Sequence, residues 1–205
     1  MKLLHIDAGI TGPNSVSRQL SGAIVEALAK ADPTLQIVSR DLDVDPIPHL
    51  DGGDFGLRAV EGADDKAARG AAVLQEFLDA DVVVIGAPMY NLGIPSQLKA
   101  WFDRILVAGK TFRYTANGPE GLSGDKRVIV ASARGGLYAP GTPQAAADFH
   151  EPYLRTLFRF IGIDEIAVVR AEGVAISPEQ RQAAVNEALA SASTVAAGAV
   201  TALAA

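Results

Sequence analysis

Asp81-Val82-Val83-Val84-Ile85-Gly86-Ala87-Pro88-Met89-Tyr90-Asn91-Leu92-Gly93-Ile94-Pro95-Ser96-Gln97-Leu98-Lys99-Ala100-Trp101-Phe102-Asp103-Arg104 decides the architecture of this chain. The run 81–86 is short, β-branched and uninterrupted, as expected of a strand buried on both faces of a parallel sheet. Past Pro95 the spacing becomes helical, with Leu98, Phe102, Ile105 and Leu106 on one stripe. The segment between them is a loop at the carboxyl end of a buried strand, where open α/β sheets bind ligands. It carries a thioether (Met89), a flat aromatic (Tyr90), an amide (Asn91) and a Gly-Ile-Pro turn after Leu92. Such a set can cover the face and edge of a planar cofactor.

Working outward, the same alternation recurs. Residues 2–6 read as the first strand and 16–30 as a helix with Leu20, Ile24 and Leu28 spaced by four. Residues 35–40 form the second strand and 64–78 a helix before the third strand. Residues 111–121 look like a short excursion or a hairpin around a turn, 127–132 the fourth strand, 153–161 a helix and 166–171 the fifth strand. Ser177-Pro178-Glu179-Gln180 opens the last helix with an N-cap, Pro at the first position and a capping-box Gln. The chain shows no repeat and no linker, so 1–205 is expected to be a single α/β domain. A doubly wound five-stranded parallel sheet of order 2-1-3-4-5 follows, with its switch point between strands one and three. The loops after strands one, three and four would then open on one crevice.

Composition removes several alternatives. A net charge of −6 and a pI near 5.0 argue against nucleic acid or an anionic membrane as partner. The absence of cysteine excludes disulfides and thiolate chemistry. An acid at Asp7 breaks any signal-peptide core, and no apolar run nears the roughly 18 residues of a membrane span, so a cytoplasmic protein is expected. His5, His49 and His150 lack ligand spacing, so no metal is assigned.

The first loop, Gly9-Ile10-Thr11-Gly12-Pro13-Asn14-Ser15-Val16-Ser17-Arg18, matches neither a dinucleotide fingerprint nor a P-loop. Ser15 and Ser17 at a helix start suit a terminal phosphate, through N–H groups, the helix dipole and hydroxyl donors. A plain N-cap role for Ser15 is the competing reading. Asp7 is expected to point away from such a phosphate. Ala133-Arg134-Gly135-Gly136 offers two glycines where a ring edge could approach the backbone; read alone it is a plain turn, and its weight comes from lying beside the other two loops. Arg58, Arg104 and Arg134 are assigned surface ion pairs in preference to a dinucleotide phosphate, and the acidic stretch 41–54 reads as a solvated loop. Trp101, Phe102 and Phe77 read as core or interface.

With these loops in place, the chain resembles the FMN-dependent NADH azoreductases, also quinone reductases, of the flavodoxin-like fold. The resemblance rests on Ser15-Val16-Ser17-Arg18-Gln19-Leu20-Ser21, Pro88-Met89-Tyr90-Asn91, Ser96-Gln97-Leu98-Lys99, Gly109-Lys110-Thr111-Phe112-Arg113-Tyr114-Thr115, Asn117-Gly118-Pro119-Glu120-Gly121-Leu122 and Phe160-Ile161-Gly162-Ile163. It implies that Ser15, Val16 and Ser17 hold the FMN phosphate, with Gly9 offering a backbone N–H. Pro88, Met89, Tyr90, Asn91 and Leu92 would line the isoalloxazine, and Ala133, Arg134, Gly135 and Gly136 would border its other edge. Phe112, Tyr114, Tyr138 and Phe160 would wall a substrate pocket closed by the partner of a homodimer. NADH or NADPH would supply the hydride, and a quinone or azo compound would accept electrons. The flavin carries the chemistry, so no catalytic side chain is named. The chain departs from the family pattern at Gly9 and Ala133, where serine is common, and at Tyr138, where some members have histidine. A non-enzymatic flavodoxin-type carrier is the alternative, which the aromatic hairpin argues against. A response-regulator domain would need an Asp where Ala87-Pro88 stand.

Overall fold

The computed structural model describes residues 1–57 and 62–203. In chain order the elements are β1 (Lys2–Asp7), α1 (Val16–Ala31), β2 (Gln36–Asp41), α2 (Ala63–Asp79), β3 (Val82–Pro88), α3 (Ser96–Ile105), β4 (Phe112–Thr115), β5 (Gly118–Gly121), β6 (Arg127–Arg134), α4 (Glu151–Phe160), β7 (Ala167–Glu172) and α5 (Pro178–Leu203). Five strands form one parallel sheet in the order β2-β1-β3-β6-β7, the expected 2-1-3-4-5 with the hairpin strands β4 and β5 set apart. The switch point lies between β1 and β3, which pair from Leu3↔Val82 to Asp7↔Gly86.

All seven residues of β3 are buried, because helices cover both faces of the sheet. On one face α1 and α5 pack Leu20, Ile24, Leu28, Ala188 and Ala192 against Val82, Val84 and Val169. On the other, α2, α3 and α4 pack Phe77, Trp101, Phe102, Leu154 and Phe158 against Val83, Ile85 and Val130. Each fully buried Val or Ile of β3 contributes about 1.5–3 kcal/mol. Truncating Ile85, which has no solvent exposure, to Ala would cost about 2–5 kcal/mol.

Caps fix where the helices begin. Ser15 Oγ accepts from Arg18 N at the start of α1 (3.4 Å), and Ser177 Oγ accepts from Gln180 N at the start of α5 (3.1 Å). α4 begins at Glu151, before the apolar periodicity does, because Asp148 accepts from the N–H groups of His150 (3.0 Å) and Glu151 (3.1 Å). On α3 the buried stripe includes Trp101, packed edge-to-face on Phe77 and Phe102, while Leu106 is a half-buried C-cap. Among the described residues no helix is long and apolar enough to cross a membrane.

The acidic segment after β2 differs from the expected solvated loop. Leu42 and Ile47 are buried, Asp45 pairs with Arg40 and Arg69, and Asp54 pairs with Lys66 and Arg104. The apolar residues between the acids draw the segment onto the core, which brings the carboxylates to the cations of α2 and α3. Arg104 forms an ion pair as expected, but a buried one: its guanidinium also donates to Pro48 O (2.9 Å) and its stem lies against Gly70. The Arg104 hydrogen bond holds the Asp54 carboxyl far below the usual range despite partial desolvation.

Candidate functional site

The loop leaving β1 turns through a single 3-10 turn (Gly12–Asn14) into α1. Ser15 and Ser17 are both buried, and their hydroxyls lie 3.0 Å apart. Helix geometry leaves the N–H groups of Val16 and Ser17 without intrahelical acceptors beside those hydroxyls. A Cβ at Gly9 would lie 2.3 Å from Ser15 Oγ and 3.2 Å from Ser17 Oγ. With Gly9 in place the Ser15 hydroxyl occupies this space, so a serine at position 9 would require that hydroxyl to turn away. Arg18 fixes the loop from behind: Nε donates to Gly9 O (2.8 Å) and the two Nη atoms clamp Asp41 at 2.6 Å each. Asp7, as its strand position requires, turns into the α1–β3 contact, where it accepts from Ser21 Oγ (2.8 Å). His5 Nε2 lies 3.5 Å from the other Asp7 oxygen.

The loop leaving β3 is a tight turn. Tyr90 and Gly93 exchange backbone bonds (3.0 and 3.1 Å), and the central residues Asn91 and Leu92 have φ of 47° and 72°. Positive φ at both central positions is the type I′ geometry, for which Asn is well suited and Leu is not. A strained non-glycine conformation held by its surroundings is common at binding sites. Here the surroundings are Phe149 N, which donates to Leu92 O (3.1 Å), and Met89 N, which donates to Ala133 O (2.8 Å). Tyr90 Oη accepts from Ile10 N (3.1 Å), joining this turn to the first loop. Pro88, the last residue of β3, is buried, whereas Asn91 and Leu92 are exposed.

The loop leaving β6 brings Ala133, Arg134, Gly135 and Gly136 beside the other two. The carbonyls of Arg134, Gly135 and Gly136 accept from Val174, Ala175 and Gly173 respectively (3.0–3.1 Å). In a trans peptide the following N–H points opposite to the carbonyl, so the amides of Gly135, Gly136 and Leu137 turn away from the β7 side. Successive N–H groups of this kind form a concavity for an electron-rich edge. Tyr138 folds back over Gly136: a Cβ there would lie 3.2 Å from the ring and 2.9 Å from Gln144 Oε1.

Arg134 itself is a correction to the sequence reading, which gave it a surface ion pair. It is 1 % exposed. Its guanidinium meets Asp148 (3.0 Å), Glu172 (3.2 Å), Glu151 and Ser132 Oγ (3.2 Å), so the side chain is committed inward. Arg170 grips both oxygens of Glu151, Nε donating to Oε1 (2.8 Å) and Nη2 to Oε2 (2.5 Å). Burial would raise the Glu151 carboxyl, but the Arg170 hydrogen bond and the Arg134 charge outweigh it and hold it lowered. His150 sits within this group, fully buried; burial, with the Arg134 charge added, pushes it down to about 4. Neither His150 nor the three carboxylates carried a local sequence signal. Only the spacing Asp148–Glu151 at a helix start could have hinted at one.

The aromatic positions gather elsewhere. Phe112 packs on Phe160 (4.6 Å between ring centres) and edge-on to Tyr114 (5.4 Å). Phe112 and Tyr114 line a cavity of about 680 Å³ with α2, α3 and the segment after β2, sharing no lining residue with the three loops. Tyr114 is 75 % exposed. The hairpin is seated by glycine: a Cβ at Gly121 would fall 2.0 Å from Gly162 N, so β5 lies backbone-to-backbone on the turn after α4. The structure thus assembles the three loops with Tyr138 into one crevice and sets Phe112, Tyr114 and Phe160 apart as a second cluster. Arg58 lies outside the described residues. Trp101, Phe102 and Phe77 belong to the core. Among the described residues no group of His, Asp and Glu converges as a metal site requires.

Comparison with known proteins agrees with this fold. Residues 1–195 match a family described as having a flavodoxin-like fold. An FMN-dependent NADH:quinone oxidoreductase from Xanthomonas axonopodis pv. citri is 58 % identical over 190 residues, covering 93 % of this chain and 94 % of the relative. An azoreductase from Bacillus anthracis superposes with a TM-score of 0.85 at 32 % identity, covering 96 % of this chain and 98 % of that one. A second structure from the same species, an FMN-dependent NADH-azoreductase in complex with FMN, superposes with a TM-score of 0.82 at 30 % identity, covering 95 % and 99 %. By sequence along nearly its whole length and by fold, the chain belongs to the flavodoxin-like family of FMN-dependent NADH:quinone oxidoreductases and azoreductases.

Proposed function

We propose that the protein is an FMN-dependent oxidoreductase that uses NADH to reduce quinones and to cleave aromatic azo compounds in two half-reactions. The observation that carries this reading is the convergence of three unusual loops, bonded to one another, at the switch point of the sheet. FMN fits the residues present. Ser15 and Ser17 offer two buried hydroxyls that bond to each other, next to free helix N–H groups, and these would hold its phosphate. The Tyr90–Gly93 turn would lie along the ring, and the Gly135–Leu137 amides would meet its carbonyl edge. When bound, FMN supplies hydride acceptance from NADH and two-electron delivery to the acceptor. The chain contributes binding, orientation and exclusion of water. The Gly135–Leu137 amides are donors fixed before reaction, so they favour negative charge at the ring edge without reorganisation.

The separation of the aromatic cluster from the crevice supports a homodimer in which Phe112, Tyr114 and Phe160 of one subunit wall the crevice of the other. Exposed Ile10, Leu92, Leu137 and Phe149 rim the crevice and give such a partner an apolar seat. The deciding experiment is a titration of the purified protein with FMN, followed by steady-state oxidation of NADH with and without a benzoquinone. FMN binding with quinone-dependent turnover supports the reading. FMN binding without NADH oxidation would mark an electron carrier, and no flavin binding would end the proposal. A variant held monomeric should lose turnover while retaining FMN.

A further inference from the structure

We infer that Glu172, at the end of β7, is the positioning residue that shapes the loop bordering the flavin ring. This rests on the FMN reading above. One carboxylate oxygen of Glu172, Oε1, takes both ends of that loop: it lies 3.2 Å from Arg134 Nη1 and accepts from Tyr138 N at 2.9 Å. The loop between those two residues is therefore closed on a single atom. Backbone bonds complete the closure, with the Arg134, Gly135 and Gly136 carbonyls all taken by residues 173–175, the segment directly after Glu172. With the carbonyls occupied on that side, the Gly135, Gly136 and Leu137 amides have one direction left to face.

Arg134 cannot do this alone. Its guanidinium also meets Asp148 and Glu151, so it stays paired if Glu172 is lost. The Tyr138 amide has Glu172 as its acceptor, and with it goes the placement of the Tyr138 ring over Gly136. Removing Glu172 thus frees the far end of the loop while the buried ion cluster persists. The side chain touches no reacting atom; it acts through the amides it aims.

The test compares wild type, Glu172→Ala and Glu172→Gln as apoproteins, titrated with FMN and with riboflavin well below their unfolding transitions. Glu172→Ala should weaken both flavins to the same degree, by about tenfold, as loss of ordered donors implies. The visible flavin band of the complex should move toward that of the free cofactor. Glu172→Gln keeps a carbonyl oxygen for Tyr138 N and should restore most of the affinity. Unchanged affinities and spectrum in Glu172→Ala, with only a lower melting temperature, would reduce Glu172 to a structural residue. A loss confined to FMN would show that the loop does not border the ring, and would overturn the inference while sparing the functional reading. A wild type that binds neither flavin overturns both. Hydrogen exchange on the wild type covers the case in which Glu172→Ala does not fold. The Tyr138 amide should exchange slowly with and without FMN, and the Gly135–Leu137 amides should slow only when FMN is added; insensitivity of those three to FMN overturns the inference.

Discussion

The crevice at the carboxyl edge of the sheet and the aromatic cluster beside α2 and α3 are built on opposite plans. In the crevice nearly every loop group is spoken for: Ile10 N by Tyr90, Leu92 O by Phe149, Ala133 O by Met89, Gly9 O by Arg18, Tyr138 N by Glu172. The aromatic cluster packs on itself, opens onto a cavity of about 680 Å³ and leaves Tyr114 three-quarters exposed. The loops of the first region are tied to one another within one chain, with their free N–H groups left for a ligand, and the second region presents a surface. The difference separates the two tasks of the proposed enzyme. Holding a cofactor calls for fixed donors, whereas taking varied planar acceptors calls for apolar walls without polar demands. Mutations should divide along the same line, with stability and flavin binding on one side and acceptor choice on the other.

The hardest break falls in the crevice. Arg134→Met would leave Asp148, Glu151 and Glu172 facing a buried apolar stem, and loss of one partner from such a cluster costs about 3–5 kcal/mol. Denaturant unfolding should show it as a lowered midpoint. A second test uses acid. The unfolded chain takes up a proton at His150 near 6.5 and the folded chain only near 4, so the unfolded state binds more protons between those values. Stability should therefore fall as pH drops from about 6.5 to about 4, by about 3 kcal/mol from this group. Arg134, Asp148 and Glu151 surround the imidazole, and the carboxylates Asp41 and Glu151, whose values are lowered, add their own losses in acid. The share due to His150 is the slope that disappears in His150→Gln.

Ser17→Ala sharpens the comparison within the crevice. A hydrogen bond to a charged group is worth about 1.5–3 kcal/mol, so FMN affinity should fall by about tenfold to a hundredfold. Riboflavin, lacking the phosphate, should bind as before; equal losses for both would make Ser17 a structural hydroxyl. The smallest effect belongs to the open region. Tyr114→Ala should change kinetic constants for quinone or azo acceptors by several-fold, in line with about 0.5–1.5 kcal/mol of ring stacking. Its FMN affinity should stay at the wild-type value. A drop in FMN affinity with unchanged acceptor constants would reverse the assignment of the two regions.

Local patterns carried most of the fold and part of the site. The Val82–Ile85 run, the α1 stripe and the Ser177-Pro178 cap are each decided within one element, and the strand order follows from crossover handedness. Each of the three loops has a plain use of its own, as the N-cap role of Ser15 shows, and they were legible as a set because the strand order brings them to one edge of the sheet. What stayed hidden is non-local charge. Glu172 lies 38 residues from Arg134, and Asp54 lies 50 residues from Arg104. No spacing rule links such pairs, so a buried Arg reads as a surface one until the fold brings its carboxylates to it. The same holds for His150, which meets the backbone of Ala87 on β3 and the charge of Arg134 on β6, both far from it in sequence. The Gly9 departure became intelligible only with Ser15 Oγ placed in its missing Cβ space.

The contact between Gly121 and Gly162 has a consequence for the proposed acceptor pocket. Because β5 rests directly on the turn after α4, the β4–β5 hairpin that carries Phe112 and Tyr114 is held against the helix end that carries Phe160. They form a plate whose tilt is set before anything docks. A subunit or a flat molecule that settles on it surrenders little chain entropy, since the ordering cost has been met during folding. Inserting a side chain at Gly121 would unlock the plate without touching an aromatic residue, and would turn a preformed wall into one that each newcomer must assemble.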